Sequence, residues 1–153
     1  MGYTSDLTTG KVIEANELAS PGEEAEKAID DNLTTYWQSK RSMSNNWIRV
    51  DFGAGNTETI TKLRVHPVTT FLGTFTFQGS NDGAAYTDLT SGTASTDAWH
   101  DFEFTNTTAY RYYRIIRPAS GWVAIKEIEM MATEAESGGQ VPSRIILTIG
   151  LGL

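Results

Sequence analysis

The stretch NWIRVDF, residues 46–52, alternates its side chains with the two-residue period of a β-strand and is followed by Gly53. Ile48, Val50 and Phe52 fall on one face, whereas Trp47, Arg49 and Asp51 fall on the other. Because successive side chains of a strand point to opposite faces, this pattern predicts a strand that is buried on one side only.

Similar short runs lie on both sides of this strand. They comprise residues 12–13, 59–66, 74–78, 99–104, 110–117 and 123–131. Asn81-Asp82-Gly83 predicts a tight turn, because Asp and Gly tolerate the backbone angles that a hairpin needs. Many short strands separated by turns predict an all-β sandwich.

One helix is predicted near the N-terminus. Ser20-Pro21-Gly22-Glu23 has the form of a capping box, with Ser at the N-cap, Pro at the first position and Glu three residues after the Ser. Residues 23–29 would then form about two helical turns.

Composition excludes several classes of protein. The chain has 153 residues, 39% hydrophobic and 20% charged, which fits one globular domain. Its net charge of -7 disfavours charge-driven binding to nucleic acid, so we expect no nucleic-acid partner. The absence of cysteine excludes disulfides and thiolate sites. No apolar run approaches the ~20 residues of a membrane span, and MGYTSDLTTG does not read as a secretory signal.

The C-terminal end differs from the rest. We predict a domain over residues 1–133, a linker over 134–140 (EAESGGQ) and an apolar arm over 141–153 (VPSRIILTIGLGL). A lone apolar strand is not stable by itself, so the arm is expected to add to its own sheet or to dock on another subunit.

Short oxygen-bearing side chains are concentrated in residues 30–35, DDNLTT, and fit a turn, a cation site or a catalytic cluster. Calcium binds six to eight oxygens. The spacing is not that of an EF-hand, because Thr35 and Arg41 occupy the sixth and twelfth positions counted from Asp30. A cation here would need a distant acid, for which Glu127 is the candidate.

Five motifs, in order, resemble those of discoidin domains, also called coagulation-factor type C domains. They are AIDDNLTTYW (28–37), WIRVDFG (47–53), SNDGAAY (80–86), YRYYRI (110–115) and IKEIEM (125–130). The resemblance implies a jelly-roll sandwich that binds ligands with the loops at one end, as many carbohydrate-binding modules do.

The resemblance also implies a structural calcium, with sodium as the alternative. Its ligands would be the carbonyls of Lys27, Asn32 and Lys126 and the side chains of Asp30, Thr35 and Glu127. Asp31 stands where the family usually has Gly, in a turn that needs a positive φ. The alternative is an Asx-turn satisfied by backbone groups alone.

No nucleophile or metalloprotease motif accompanies His66 or His100, so we predict that the chain is not an enzyme. Ligand contacts are expected from loops 39–46, 67–73 and 118–122. The residues are Arg41, Asn45, His66, Phe71, Leu72 and Trp122, with Phe71-Leu72 as an exposed tip. Trp37, Trp47 and Trp99 are expected in the core.

Galactose-binding members of the family often carry His and Arg where this chain has Gln38 and Val68, so a galactose-type specificity is not expected. The predicted function is a recognition or adhesion module for a glycan or surface partner within a larger assembly, such as a phage or virus structural protein. The alternatives are a decoration or cement protein and the accessory module of a secreted glycoside hydrolase. The expected location is extracellular or virion-associated.

Overall fold

A computed structural model describes residues 2–16, 20–40 and 42–135 of the chain. Across these ranges it contains nine strands and one short 3-10 helix, Ala25–Ala28. The strands are β1 (Val12–Ala15), β2 (Trp37–Gln38), β3 (Asn46–Asp51), β4 (Lys62–Pro67), β5 (Gly73–Ser80), β6 (Thr87–Ala94), β7 (His100–Glu103), β8 (Tyr112–Arg117) and β9 (Ala124–Met131). In the part of the chain so described, no helix is long and apolar enough to cross a membrane.

The strands form two antiparallel sheets packed as a sandwich. The five-stranded sheet has the order β1-β3-β8-β5-β6 and the four-stranded sheet the order β2-β9-β4-β7. Strand β3 lies inside the first sheet and buries alternate residues, among them Ile48 and Val50. The prediction of an all-β jelly-roll sandwich is confirmed.

Aromatic rings fill the space between the sheets. Phe77 stacks on Tyr113 with ring centroids 5.6 Å apart, and Phe75 meets Phe102 of the opposite sheet edge-on at 5.1 Å. The buried Tyr113 hydroxyl accepts the Ile60 backbone N–H at 3.2 Å and donates to the Glu58 carbonyl. The core therefore joins the two sheets through aromatic rings, and the Tyr113 hydroxyl among them is satisfied.

The glycine at position 92 lets the sheets approach. A Cβ built at Gly92 would overlap the ring of Phe102. We therefore expect Gly92→Ala to lower the free energy of unfolding by about 1–3 kcal/mol, as overpacking does. Thermal or denaturant unfolding measures this. In a Phe102→Leu background the loss of stability caused by Gly92→Ala should be smaller. An equal loss in both backgrounds would contradict an overlap with the Phe102 ring.

Four details of the predicted fold are wrong. The helix is a single 3-10 turn, and its N-cap, Glu24, makes no side-chain capping bond, so the Ser20 capping box does not form. Strand β6 was not predicted, because TDLTSGTA has too few apolar residues to show a period. Trp37 is fully buried as expected, but Trp47 and Trp99 are only half-buried and carry Arg49 and Arg64 over their rings.

The antiparallel order brings four connections to one end of the sandwich. These are residues 39–45, 68–72, 95–99 and 118–123, which follow β2, β4, β6 and β8. We call this the loop end. The three segments predicted to hold ligand contacts all belong to it.

Candidate functional site

The acidic loop, residues 30–35, folds around its own oxygen atoms. The Thr35 hydroxyl lies 2.9 and 2.8 Å from the two Asp30 carboxylate oxygens, and the Asn32 backbone N–H donates to Asp30 Oδ1 at 3.1 Å. Asp31 has a φ of 56°, the left-handed conformation that the sequence predicted for this position. The Asx-turn exists, and it keeps Asp30, Asn32 and Thr35 together.

Glu127 in β9 is a buried acid. Its side chain is 2% exposed, and neither carboxylate oxygen has a hydrogen-bond partner among the described residues. Burial raises the pKa of Glu127 from 4.5 to about 8, with further contributions from the negative charges of Asp31, Asp30 and Asp6. The Asn32 backbone N–H lowers this pKa from nearby, but it donates its hydrogen bond to Asp30 and not to Glu127. A buried carboxylate without a partner is costly, so this position favours a proton or a cation.

The residues present fit the predicted cation. Glu127, Asp30, Thr35 and Asn32 supply the hard oxygen ligands that calcium prefers. In the described ranges no group of three His, Cys, Asp or Glu residues could hold a metal by itself, so backbone carbonyls would have to complete the cage. Of the predicted carbonyl donors, Lys27 lies in the 3-10 helix before the loop and Lys126 precedes Glu127 in β9.

The loop end presents three large apolar side chains to solvent. Phe71 is 39% exposed, Trp122 is 41% exposed and Met43 is 36% exposed, and each comes from a different loop. Asn45 is also exposed and has a φ of 60°. Of the predicted ligand residues, the structure therefore brings Asn45, Phe71 and Trp122 to this end of the molecule, while Arg41 lies outside the described residues.

Two predicted ligand residues do not have the exposure that was expected. Leu72 is fully buried, because the loop turns it inward into the core while Phe71 points out. His66 is 7% exposed, packs edge-on against Trp99 at 5.4 Å and has Nδ1 3.3 Å from the Pro67 carbonyl. The prediction of an exposed Phe71-Leu72 pair is thus wrong for Leu72, and His66 offers little surface to a ligand.

Arg117 at the end of β8 joins the two aromatic loops. Its Nη1 donates to the Phe71 carbonyl at 3.2 Å and to the Trp122 carbonyl at 2.7 Å. Gly121 makes room for the guanidinium, since a Cβ there would lie 2.7 Å from Nη1, and its φ of 144° suits glycine. Arg117 was not among the residues predicted from the sequence. The available signal was an arginine at the end of a predicted strand, directly before the loop that contains Gly121 and Trp122.

Asn46 holds the remaining loop in place. Its side-chain amide donates to the Gly121 carbonyl at 3.0 Å and to the Met43 carbonyl at 3.1 Å. The Ser39 hydroxyl accepts the Val123 backbone N–H at 3.0 Å. The three loops are therefore linked by polar contacts, which are buried or partly buried at Ser39 and Asn46 and exposed at Arg117, and these contacts fix the exposed side chains before any ligand arrives.

Solved structures similar to this chain include carbohydrate-binding modules. Chitosan-binding module 1 of a chitosanase/glucanase from Paenibacillus sp. IK-5 is 23% identical, with 83% of this chain and 98% of that chain covered and a TM-score of 0.72. The family 32 module of NanJ from C. perfringens, in complex with galactose, is 16% identical, covers 86% and 100%, and has a TM-score of 0.73. The family 32 module of AlyQ, in complex with 4,5-unsaturated mannuronic acid, is 25% identical, covers 87% and 100%, and has a TM-score of 0.68.

Sequence comparison gives the family. No curated protein sequence matches the chain. The family model described as the F5/8 type C domain matches residues 12–128, which include eight of the nine described strands in full. This is the discoidin family that the five motifs indicated. The chain belongs to the F5/8 type C domain family.

Proposed function

We propose that the chain is a non-catalytic carbohydrate-binding module that recognises a glycan at its loop end. The observation that carries the proposal is the pair of exposed aromatic rings, Phe71 and Trp122, whose backbones are held by the same Arg117 side chain. Aromatic side chains stack on the apolar faces of sugar rings, and a few fixed polar groups then orient the sugar.

The fixed positions of the two loops favour a binding site over a chance cluster of exposed apolar side chains. Ordering two loops during binding costs free energy, whereas rings fixed in advance avoid that cost. The Asn46 and Ser39 contacts extend the same support to the loop that presents Met43 and Asn45. The likeness to sugar-binding neighbours supports the same class of ligand, without indicating which sugar.

Alanine substitutions of the two rings test the proposal. Phe71→Ala and Trp122→Ala should each weaken glycan binding by about tenfold or more, because each removes a stacking surface. Because Phe71 and Trp122 are about 40% exposed, thermal stability should fall less than for a fully buried core ring. Leu33→Ala is the control, since Leu33 is 41% exposed but lies in the acidic loop. A glycan array followed by titration of the strongest hit gives the affinities; equal affinities for wild type and both variants would contradict the proposal.

We also propose that Glu127, Asp30 and Thr35, with the carbonyls of Lys27, Asn32 and Lys126, hold a structural calcium, sodium being the alternative. The Glu127 carboxylate, which has no hydrogen-bond partner in the described part of the chain, supports this. The cation would connect the acidic loop to β9, and its contribution would be to stability rather than to ligand contact.

The wider setting is a proposal from the sequence alone. We propose that the apolar arm, 141–153, which lies outside the described residues, docks on another subunit and builds the module into an extracellular or virion assembly. Native mass spectrometry of the full chain and of residues 1–134 tests it. An oligomer that becomes a monomer on truncation is the expected result, and two monomers would contradict it.

Two other functions have some support. Gln38 and Val68, in place of the His and Arg of galactose-binding members, favour a decoration protein without a soluble ligand. The resemblance to modules of a chitosanase/glucanase favours an accessory module of a secreted hydrolase. The glycan array distinguishes the first of these from the proposed function, because a decoration protein would bind no glycan.

A further inference from the structure

We infer that the proposed glycan site continues from the loop end onto the outer face of the five-stranded sheet, where it holds an uncharged sugar chain instead of a single terminal sugar. The inference rests on the proposed function, because it names the class of ligand for that site. Trp47 and Ile116 are apolar side chains that are half-buried and lie outside the hydrophobic core. An apolar pair on the surface is a candidate contact area, and its neighbours decide what it binds.

Trp47 and Ile116 begin a row of side chains that crosses four strands. Trp47 of β3 is paired with Ile116 of β8. Ile116 is paired in turn with Thr76 of β5, and Thr76 with Ser91 of β6. Because β3, β5 and β8 bury the alternate residues, such as Ile48, this row lies on the outer face. We call the row the outer strip; with strands about 4.8 Å apart it is about 14 Å long, which fits several linked sugars better than one.

The outer strip is close to the loop end. Trp47 comes directly after Asn46, whose side-chain amide fixes two of the loops. Strand β5 begins at Gly73, shortly after Phe71, and Thr76 lies in the same strand. At about 3.4 Å per residue, Thr76 is only about 10 Å from the start of that strand. A sugar chain held at Phe71 can therefore extend over the outer strip.

The neighbouring row on the same face consists of polar residues that bind one another. Arg49 of β3 is paired with Arg114 of β8, and Arg114 with Gln78 of β5. Arg49 donates to the Glu14 carboxylate and, at 3.1 Å, to the Tyr86 hydroxyl. Arg114 donates to Gln78 Oε1 at 2.7 Å and lies 3.6 Å from the centre of the Tyr86 ring. Tyr86 therefore covers this row, and the outer strip beside it is the uncharged part of the face.

The outer strip ends in a shallow cavity at the edge of the sheet. The cavity has a volume of about 210 Å³ and is lined by Thr76, Asp88, Leu89, Thr90 and Ser91. The hydroxyls of Thr76 and Ser91 have no hydrogen-bond partner among the residues that the structure describes. Each hydroxyl can therefore both donate to and accept from a ligand. Asp88, in contrast, already accepts the Gln78 side-chain amide.

These features fit an uncharged sugar chain. The Arg49 guanidinium lies 5.3 Å from the centre of the Trp47 ring, so the exposed part of the indole is held in place before binding. The indole can stack on a sugar face and Ile116 can contact its C–H groups, while the hydroxyls of the strip bind sugar hydroxyls. An acidic chain would meet no positive side chain on the strip and a net charge of -7 on the protein.

Oligosaccharides of increasing length test the inference with the full chain. Cello-, xylo-, manno- and galacto-oligosaccharides, each from disaccharide to hexasaccharide, would be titrated by calorimetry. In the series that binds, we expect the hexasaccharide to bind about tenfold more tightly than the disaccharide. Trp47→Ala should remove that gain and leave the affinity for the disaccharide unchanged, because the disaccharide contacts the loop end only. Tyr112→Ala is the matched control and should change neither affinity, since Tyr112 also contacts Arg49 but lies beyond the row of Arg49 and Arg114.

Two conservative variants keep the test decisive if Trp47→Ala does not fold. Thr76→Val and Ser91→Ala each eliminate one hydroxyl and should weaken the hexasaccharide several-fold, with the disaccharide unchanged. No gain with length in wild type, or a gain that all three variants retain, would overturn the inference and leave the proposed function intact. A gain confined to oligogalacturonates or chitosan oligomers of the same lengths would overturn the uncharged class. Binding to no glycan would contradict both the inference and the proposed function.

Discussion

Calcium-free protein is expected to become less stable as the pH rises from about 5 to about 8. Burial raises the pKa of Glu127 from 4.5 to about 8, so in this interval the folded chain keeps a proton that the unfolded chain has released. The free energy of unfolding then falls by about 1.4 kcal/mol per pH unit, or about 4 kcal/mol over the interval. Thermal melts of calcium-stripped protein at several pH values measure the loss.

Added calcium should remove most of this loss. An ion at the proposed site would bind the deprotonated carboxylate in the folded state only, so it would stabilise that state most at high pH. Glu127→Gln should abolish both the pH dependence and the response to calcium. Glu129→Gln is the matched control, since that acid lies on the same strand but pairs with Arg64. Calcium stabilisation of Glu127→Gln equal to that of wild type would contradict the proposed cation site.

Arg117→Gln is expected to weaken glycan binding by more than tenfold and to destabilise the fold by about 2–3 kcal/mol. The substitution removes a charged donor from two carbonyls that belong to different loops, and donors of this kind contribute about 1.5–3 kcal/mol. The two aromatic rings would then lose their common support. Isothermal titration with the strongest array hit measures affinity, and chemical unfolding measures stability.

Two further variants separate the positioning of the two loops by Arg117 from a general loss of stability. Gly121→Ala should reproduce the loss of binding, because its Cβ would displace the guanidinium. Arg114→Gln, on the same strand, removes contacts with Gln78 and Tyr86 on the outer sheet face and should cost stability without changing affinity. Wild-type affinity in Arg117→Gln, with both loops intact, would contradict a positioning role for Arg117.

The parts of the fold that sequence could predict are those with a strong local period. In β3 the pattern of NWIRVDF alone determines which face is buried, and the observed burial follows it. Strand β6 has no such pattern, because it is an edge strand whose outward residues are small and polar. The position of β6 in the sheet is determined by its pairing with β5. Such a tertiary contact leaves little signal in the sequence of the strand itself.

The candidate site was predicted unevenly for a similar reason. The exposure of Phe71 and the positive φ of Asp31 follow from local turn chemistry and could be anticipated. The inward orientation of Leu72 and the hydrogen bonds from Arg117 to two loops depend on how β5, β8 and their loops pack together. No local sequence pattern indicates that packing. The burial of Glu127, without a hydrogen-bond partner from any described residue, likewise appears only when the acidic loop is placed beside β9.

The central claim is that Phe71 and Trp122 at the loop end bind a glycan. The most direct measurement is a glycan array probed in parallel with the wild-type chain, Phe71→Ala, Trp122→Ala and Leu33→Ala, followed by titration of each hit. The account predicts hits for wild type and Leu33→Ala that weaken by about tenfold or more in the two ring variants. Hits that are unchanged in both ring variants, or an array without hits for the folded wild-type chain, would contradict it.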